Sequence, residues 1–536
     1  MGDTQASDTQ VETPSTDTAS APIDDTKVTP PMDTAVADGA QPDATASDTE
    51  PTLEDTSIEE ADSDNPMDTF EEEDVATVEP HAPERWPPSA EPPVTHDVDN
   101  NLEAVLERAA LEGACAQVER GNADRATRLR CGKWMFFYEH FGTVGIPRDL
   151  LVFLQRYYGD SIYGHGFSQM GFVADPQDAD GLPIGLVTSS AQLGDMQTSA
   201  FTCASCHFGR MPDGRYAVGY ANQELDYGWF IGGLSAAITL SVNPDDPTVH
   251  TTLREAFRDP VAQAQQEPFY SLVLGGLGLS LLINAGDQQP QLDLEAQEAF
   301  LSLDTGTMDF LTSPLVEDGV WTVSRILPLW NITTPAQEQA YGMPHSMLSW
   351  TGVVPSLPRF LMGFVDIGVS EEAQWDEARL APLAEYIETL RPPPLLQPVD
   401  EAARTRGAEL FVTQGCLDCH NGPSGESREL FSFDEIGTDD ALAQIYDPDP
   451  EGRLCCGLGS EDILASRSVK APRMVGVETQ TRFLHNGAIH SLEELFCLEP
   501  RNQEAPYAQG ALGHTMTCDG LTEAQKRDLM AYLKTL

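Results

Sequence analysis

Apolar positions recur at helical spacing in four parts of the chain, all of them beyond its first hundred residues. Leu102, Val105, Leu106, Ala109 and Leu111 fall on one face, which predicts helix from about Asn101 onward. A second amphipathic run, Leu383 to Leu390, stops at Arg391-Pro392-Pro393-Pro394, because a proline disfavours helix in the residue before it. A third helix is predicted after Asp400 as its cap, through Ala402, Ala403, Gly407, Leu410 and Phe411. The chain closes on Leu521 to Leu536, where Thr522 and Gln525 form a capping-box pattern ahead of Leu529, Met530, Leu533 and Leu536. Strand signals between the first cysteine motif (below) and residue 391 are scarce and irregular loops common. The expected fold is therefore mainly α, with long irregular loops.

Residues 1–97 are built from Thr, Asp, Ala, Pro, Ser and Glu with almost no aromatic residue, so they cannot offset the entropy of ordering. A disordered acidic segment is predicted there, ending in Pro83, Pro87, Pro88, Pro92 and Pro93. As a coil it would span about 55 Å, which suits a tether to the cell envelope or a solubilising tail. The break at Arg391 divides the remainder into two domains, 98–391 and 392–536. The apolar stretch Leu272 to Ile283 is too short to span a membrane and reads as buried core. Its Gly275-Gly276-Leu277-Gly278 lacks the spacing and acidic residue of a dinucleotide loop.

Charge narrows the partners. The 30 basic residues face 86 acidic ones, for a net charge of -56, which excludes nucleic acid and favours a redox partner with a basic surface.

The chemistry is carried by Cys203-Ala204-Ser205-Cys206-His207 and Cys416-Leu417-Asp418-Cys419-His420. In such a run two thiols add to the vinyl groups of a haem, and the adjoining histidine, here His207 or His420, becomes an axial ligand of its iron. Two covalently bound c-type haems, and so two c-type cytochrome domains, are expected. A zinc site made from the cysteine pairs would not require histidine immediately after both, and a thioredoxin-like redox pair is the remaining alternative. Opposite His420 the candidates are Met474, His485, His490, His514 and Met516; His514 leads because its loop returns just before the closing helix, with Met516 its main rival. After His207 no histidine appears until His250, and Met211 is too near in sequence to reach round the ring. His165, Met170, Met196 and His250 stay open as distal ligands, and an open first iron is expected.

Removing the four motif cysteines leaves Cys115, Cys131, Cys455, Cys456, Cys497 and Cys518. The pairs Cys115 with Cys131 and Cys497 with Cys518 are favoured, and adjacent Cys455 and Cys456 are expected to bond elsewhere rather than to each other. Both haem attachment and disulfides point to an oxidising compartment, periplasmic or extracellular and outer-membrane-associated. Met1-Gly2-Asp3-Thr4 opens without a basic and apolar signal segment, so the expectation is a signal removed or replaced, or a lipid anchor upstream.

The chain resembles the bacterial dihaem cytochrome c peroxidase superfamily. The resemblance is carried by Arg406-Gly407-Ala408-Glu409-Leu410-Phe411, Ile436-Gly437-Thr438-Asp439, Arg482-Phe483-Leu484-His485-Asn486-Gly487 and Leu492-Glu493-Glu494-Leu495. Its rubber-oxygenase-like branch is the closer match, through Asp180-Gly181-Leu182-Pro183-Ile184-Gly185 ahead of the first motif and Gly513-His514 before Leu533-Lys534-Thr535-Leu536. The resemblance implies one reactive and one electron-transfer haem, His514 as distal ligand of the second, and His485 as a loop histidine near the haems, either catalytic or structural. It also implies departures. No histidine stands where the peroxidase branch has its removable ligand, and Lys470-Ala471-Pro472-Arg473-Met474 lacks the threonine that accompanies that branch's interdomain calcium. Trp229, Trp330 and Trp350 are read as core rather than as electron relays.

The function expected is a haem-dependent oxidoreductase, with peroxide or dioxygen chemistry at the first haem and electron transfer through the second. The alternatives are a non-catalytic dihaem electron carrier and a dioxygenase that cleaves a hydrophobic polymer.

Overall fold

A computed structural model describes residues 81–84, 93–143, 145–193, 196–242, 301–309, 323–352, 354–368, 375–442, 468–502 and 510–536. Residues 1–80, the stretch from Leu272 to Ile283, His250, Cys455 and Cys456 lie outside these. The structure is partly helical, 42% helix against 12% strand, and short antiparallel sheets frame the first motif.

The predicted helices at the C-terminal end form as read. Asp400 caps the Glu401–Thr413 helix by accepting from the Ala402 N–H, and Thr522 with Gln525 makes the capping box of the Glu523–Leu533 helix. The two helices pack at Gly407, where a Cβ would stand 2.1 Å from the Asp528 carbonyl oxygen. Phe411, Leu529, Met530 and Leu533 fill the contact and join Ile489, Leu492 and Phe496 in one apolar cluster.

A second close helix crossing organises the larger cluster. The Arg125–Tyr138 helix, capped by Asp124, buries Leu129, Met135, Phe136 and Phe137. It lies against the Glu377–Thr389 helix, whose Leu380, Leu383, Tyr386 and Ile387 are buried. Glycine is required at 132, where a Cβ would meet the Pro382 carbonyl oxygen at 2.0 Å. The latter helix ends at Leu390, as the prolines that follow it require.

The helix predicted from Asn101 is broken. Asn101 caps Leu102–Leu106, but Glu107 then takes a left-handed φ of 45° and two further short helices follow, Arg108–Leu111 and Ala114–Glu119. The cause is long-range: the Lys133 ammonium, fully buried, donates to the Glu107 carboxylate at 2.7 Å, and the His96 N–H donates to the same carboxylate at 2.9 Å.

Described residues ahead of position 98 make contacts with the rest of the chain. The Tyr532 hydroxyl donates to the Pro83 carbonyl at 2.6 Å, and Tyr386 donates to the Asp97 carboxylate at 2.6 Å. Val98–Asp99 pairs antiparallel with Tyr216–Val218, which also pairs with Phe208–Arg210. These segments persist because they supply acceptors to donors that burial would otherwise leave unpaired.

Just ahead of the first motif lies the largest strand pair, Leu186–Leu193 against Met196–Phe201, with Ile146–Pro147 on its other edge. Residues 72–536 form one compact unit. Both favoured disulfides, Cys115–Cys131 and Cys497–Cys518, are present. Among the described residues no helix is long and apolar enough to cross a membrane.

Candidate functional site

The first motif is a single helical turn, Cys203–His207, delivered by the strand that ends at Phe201 and capped by Thr202, whose hydroxyl accepts from Ala204. Gly185 packs directly beneath it: Ser205 Oγ donates to the Gly185 carbonyl at 2.6 Å, and a Cβ on Gly185 would lie 2.6 Å from the Ser205 nitrogen. This contact is why Asp180 to Gly185 stands ahead of the motif. On the far side the Asn222 and Gly219 N–H groups donate to the carbonyls of Cys206 and His207 at 2.9 and 2.8 Å. Burial pushes the Cys203 and Cys206 thiols up to about 12. Burial likewise holds the His207 imidazole neutral, down to about 4; the Leu327 backbone opposes this in part, without a hydrogen bond of normal geometry to Nδ1.

Of the four distal candidates for His207, three are among the described residues. His165 is exposed on a turn beside Gly181, Met170 is buried in a Leu/Phe cluster, Met196 packs against that cluster, and His250 is outside the described residues.

The second motif opens on a cavity of about 470 Å³, whose wall includes Cys416, Cys419, His420, His485 and His514. His420 Nδ1 lies 2.7 Å from the Gly425 carbonyl. A carbonyl oxygen only accepts, so Nδ1 carries the proton and Nε2 keeps the lone pair that a metal requires. The acceptor is held by a tight loop: Gly422 N–H donates to the Glu426 carbonyl at 2.6 Å, Ser424 N–H donates to the Glu426 carboxylate at 2.8 Å, and Thr333 donates to its other oxygen. Gly425 has a φ of +78° and faces Met474, so a side chain there would be strained twice over.

His514 approaches from the loop before the closing helix. Its backbone is left-handed, with a φ of 50°, and its N–H donates to the Ile436 carbonyl at 3.2 Å. The preceding Gly513 lies against Thr438, where a Cβ would come within 2.7 Å. The two imidazole rings stand 6.3 Å apart between centres, edge to face at 70°. His514 Nδ1 is buried and has no hydrogen-bond partner. Burial, with His420 and Arg501 adding to it, holds this imidazole neutral, down to about 4. Of the other candidates, Met516 reaches the cavity edge with 57% of its surface exposed, Met474 lines the wall, and His490 is turned outward to Asp304 at 2.8 Å.

Two imidazoles that bind one iron from opposite faces at about 2 Å each put their ring centres about 6 Å apart, so the observed pair fits axial ligation of a haem. The neighbouring thiols fit covalent attachment. Burial pushes Cys416 up to about 11, the protonated form that adds to a vinyl group with its hydrogen. Among the described residues no three His, Cys, Asp or Glu side chains gather as a metal site of their own, the arrangement zinc would need. A haem iron needs only the two axial groups from the protein.

His485 is also in the wall, buried, with Nδ1 at 3.5 Å from Thr438 Oγ1 and Nε2 at 3.6 Å from Asp439 Oδ2. Its ring is edge-on to Phe433 and Trp350 at 5.7 and 6.4 Å between centres. Asn486 donates to Asp439 at 2.8 Å, so the Ile436–Asp439 and Arg482–Gly487 segments meet here. Trp350 lines the cavity and donates to the Arg325 carbonyl, Trp330 is fully buried and donates to the Val218 carbonyl, and Trp229 is 43% exposed.

Sequence reasoning missed Arg325, the cationic character of the wall that Lys470 and Arg473 add to it, and the role of Glu426. Their charge gave no sign of burial. No protein-family model matches the chain, and no curated protein matches it.

Proposed function

We propose that the protein is a dihaem c-type cytochrome with two cytochrome domains, 98–391 and 392–536, acting as an oxidoreductase of the dihaem peroxidase and rubber-oxygenase type. The observation that carries this reading is the His420–His514 pair, with ring centres 6.3 Å apart in a cavity that Cys416 and Cys419 also line, and with His420 Nδ1 tied to the Gly425 carbonyl. When bound, the haems would supply one-electron chemistry and, at an iron with an open face, activation of peroxide or dioxygen.

The residues have separable tasks. Gly425 and Glu426 fix the tautomer and direction of His420. His514 closes the second site, which suits it to carry electrons. His207 would hold the first haem, which would supply activation of peroxide or dioxygen when bound. The two disulfides are consistent with an oxidising, extracytoplasmic compartment. A soluble redox partner with a basic surface suits the net charge of -56.

The test is a haem count and an electron paramagnetic resonance spectrum of the full chain made in a host that attaches c-type haem. Two haems, with one low-spin and one high-spin iron, are expected. Two low-spin irons in every redox state would instead support the electron carrier. Product formation from a polymer with dioxygen and no electron donor would support the dioxygenase. Absence of covalent haem would overturn the reading.

A further inference from the structure

The wall of the His420 cavity is unusually rich in buried positive charge. Arg325 is 5% exposed and Lys470 4%, and Arg473 lines the same space. The Arg325 guanidinium donates to Gln480 and to the Arg482 carbonyl, while Arg473 donates to the Trp330 and Pro328 carbonyls. All of these acceptors are neutral, and Nε of Arg325 is buried without a partner. Among the described residues Lys470 makes no side-chain hydrogen bond and none of the three makes an ion pair.

The carboxylate within electrostatic reach of Lys470 and Arg473 is that of Glu426, which is already engaged by Ser424 and Thr333. The acidic residues of the cavity lining, Asp418 and Asp519, are exposed at its edge. Burial drives Lys470 down to about 7 and Arg325 down to about 9, the mark of cations that lack a counter-charge. Uncompensated buried charge is costly, so this wall is built for an anion that enters with a ligand.

We propose that Lys470, Arg325 and Arg473 form the seat for the carboxylate groups of the haem held by His420 and His514. The inference rests on the haem reading above and adds the residues that orient the macrocycle within the cavity. A cation beside the haem carboxylates stabilises the reduced iron over the oxidised one, since reduction adds a negative charge. The seat therefore raises the midpoint potential of the second haem.

The experiment is a spectroelectrochemical titration of the haem-loaded full chain as wild type, Lys470→Met, Lys470→Arg and Arg120→Gln, the last an exposed cation far along the sequence. The expected result is a fall in the midpoint potential of the low-spin haem in Lys470→Met, recovery in Lys470→Arg, and no change in Arg120→Gln. Lys470→Gln is read in the same way if Lys470→Met does not fold. A normal second haem whose potential is untouched in the neutral variants would overturn the seat alone. If replacing Cys416 and Cys419 with serine leaves the haem content of the wild type unchanged, the haem reading itself fails, and the two failures are thereby told apart.

Discussion

Gly407 and Asp528 touch backbone to backbone: a Cβ on Gly407 would stand 2.1 Å from the Asp528 carbonyl oxygen. Neither helix can retreat cheaply, because Phe411 on one and Leu529 and Leu533 on the other fill the seam below. Gly407→Ala is therefore expected to lower stability by about 1–3 kcal/mol, as forced overpacking does. Glu409→Ala, on the same helix, is the comparison and should be nearly silent. Thermal unfolding of the two variants checks this; equal melting temperatures would refute the close packing.

The Lys133–Glu107 pair predicts a stability that depends on pH. Burial raises the Glu107 carboxyl, but hydrogen bonds from Lys133 and from the His96 backbone outweigh it and hold the group below its ordinary 4.5. A depressed carboxyl stabilises the fold above that value and loses the contribution as pH falls through its folded value. Lys133→Met removes the ammonium and leaves the carboxylate its bonds to His96, and losing a hydrogen bond to a charged group costs about 1.5–3 kcal/mol. The deficit should be greatest near neutrality and shrink as pH falls below 4.5 and through the still lower value at which folded Glu107 takes up its proton. Urea unfolding across that range tests it, and a deficit that does not change with pH would count against the pair.

What the sequence made legible was local. Asp400 and Thr522 cap helices with atoms two or three residues away, so the pattern is complete in a short window. The Leu186–Phe201 hairpin was not legible, because its inward positions include Ser189, Thr198 and Ser199 and the expected alternation is lost. Their burial is tolerated through distant acceptors, Ser189 to the Thr143 carbonyl at 2.6 Å and Thr198 to that of Ala191 at 2.9 Å. The break at Glu107 has the same origin, a lysine 26 residues later. Within the site, the two motifs and His514 could be named from spacing and resemblance. The cations of the cavity wall could not, since nothing in a lysine's neighbours in sequence says that it is buried.

Tyr532 supplies a test of where folding begins. Its hydroxyl is buried against the Pro83 carbonyl at 2.6 Å, tying residues 81–84 to the closing helix. Tyr532→Phe keeps the ring contact with Phe411 and removes only this bond, at a cost of about 1 kcal/mol. Limited proteolysis should then cut near residue 84 faster than in the wild type, while the C-terminal helices stay protected. An unchanged rate would mean that Pro83 is not held there.

His514 and Met516 make the sharpest contrast in the site, because both were candidates for the same position and the structure treats them differently. His514 is half-buried, with its Nδ1 fully buried and unpartnered opposite His420, whereas Met516 is 57% exposed. On the proposed function, His514→Ala should convert the low-spin iron of the second haem to high spin and let carbon monoxide bind its reduced form. Met516→Leu should leave the spectrum as it is. Glu426→Gln should fall between them: it loosens the loop that presents the Gly425 carbonyl, and a weaker bond to Nδ1 makes His420 a poorer donor. That variant should keep its low-spin spectrum with a raised midpoint potential, since a less basic axial imidazole stabilises the oxidised iron less. If instead Met516→Leu opens the site and His514→Ala does not, the methionine is the ligand and the His514 ring is a packing element of the loop.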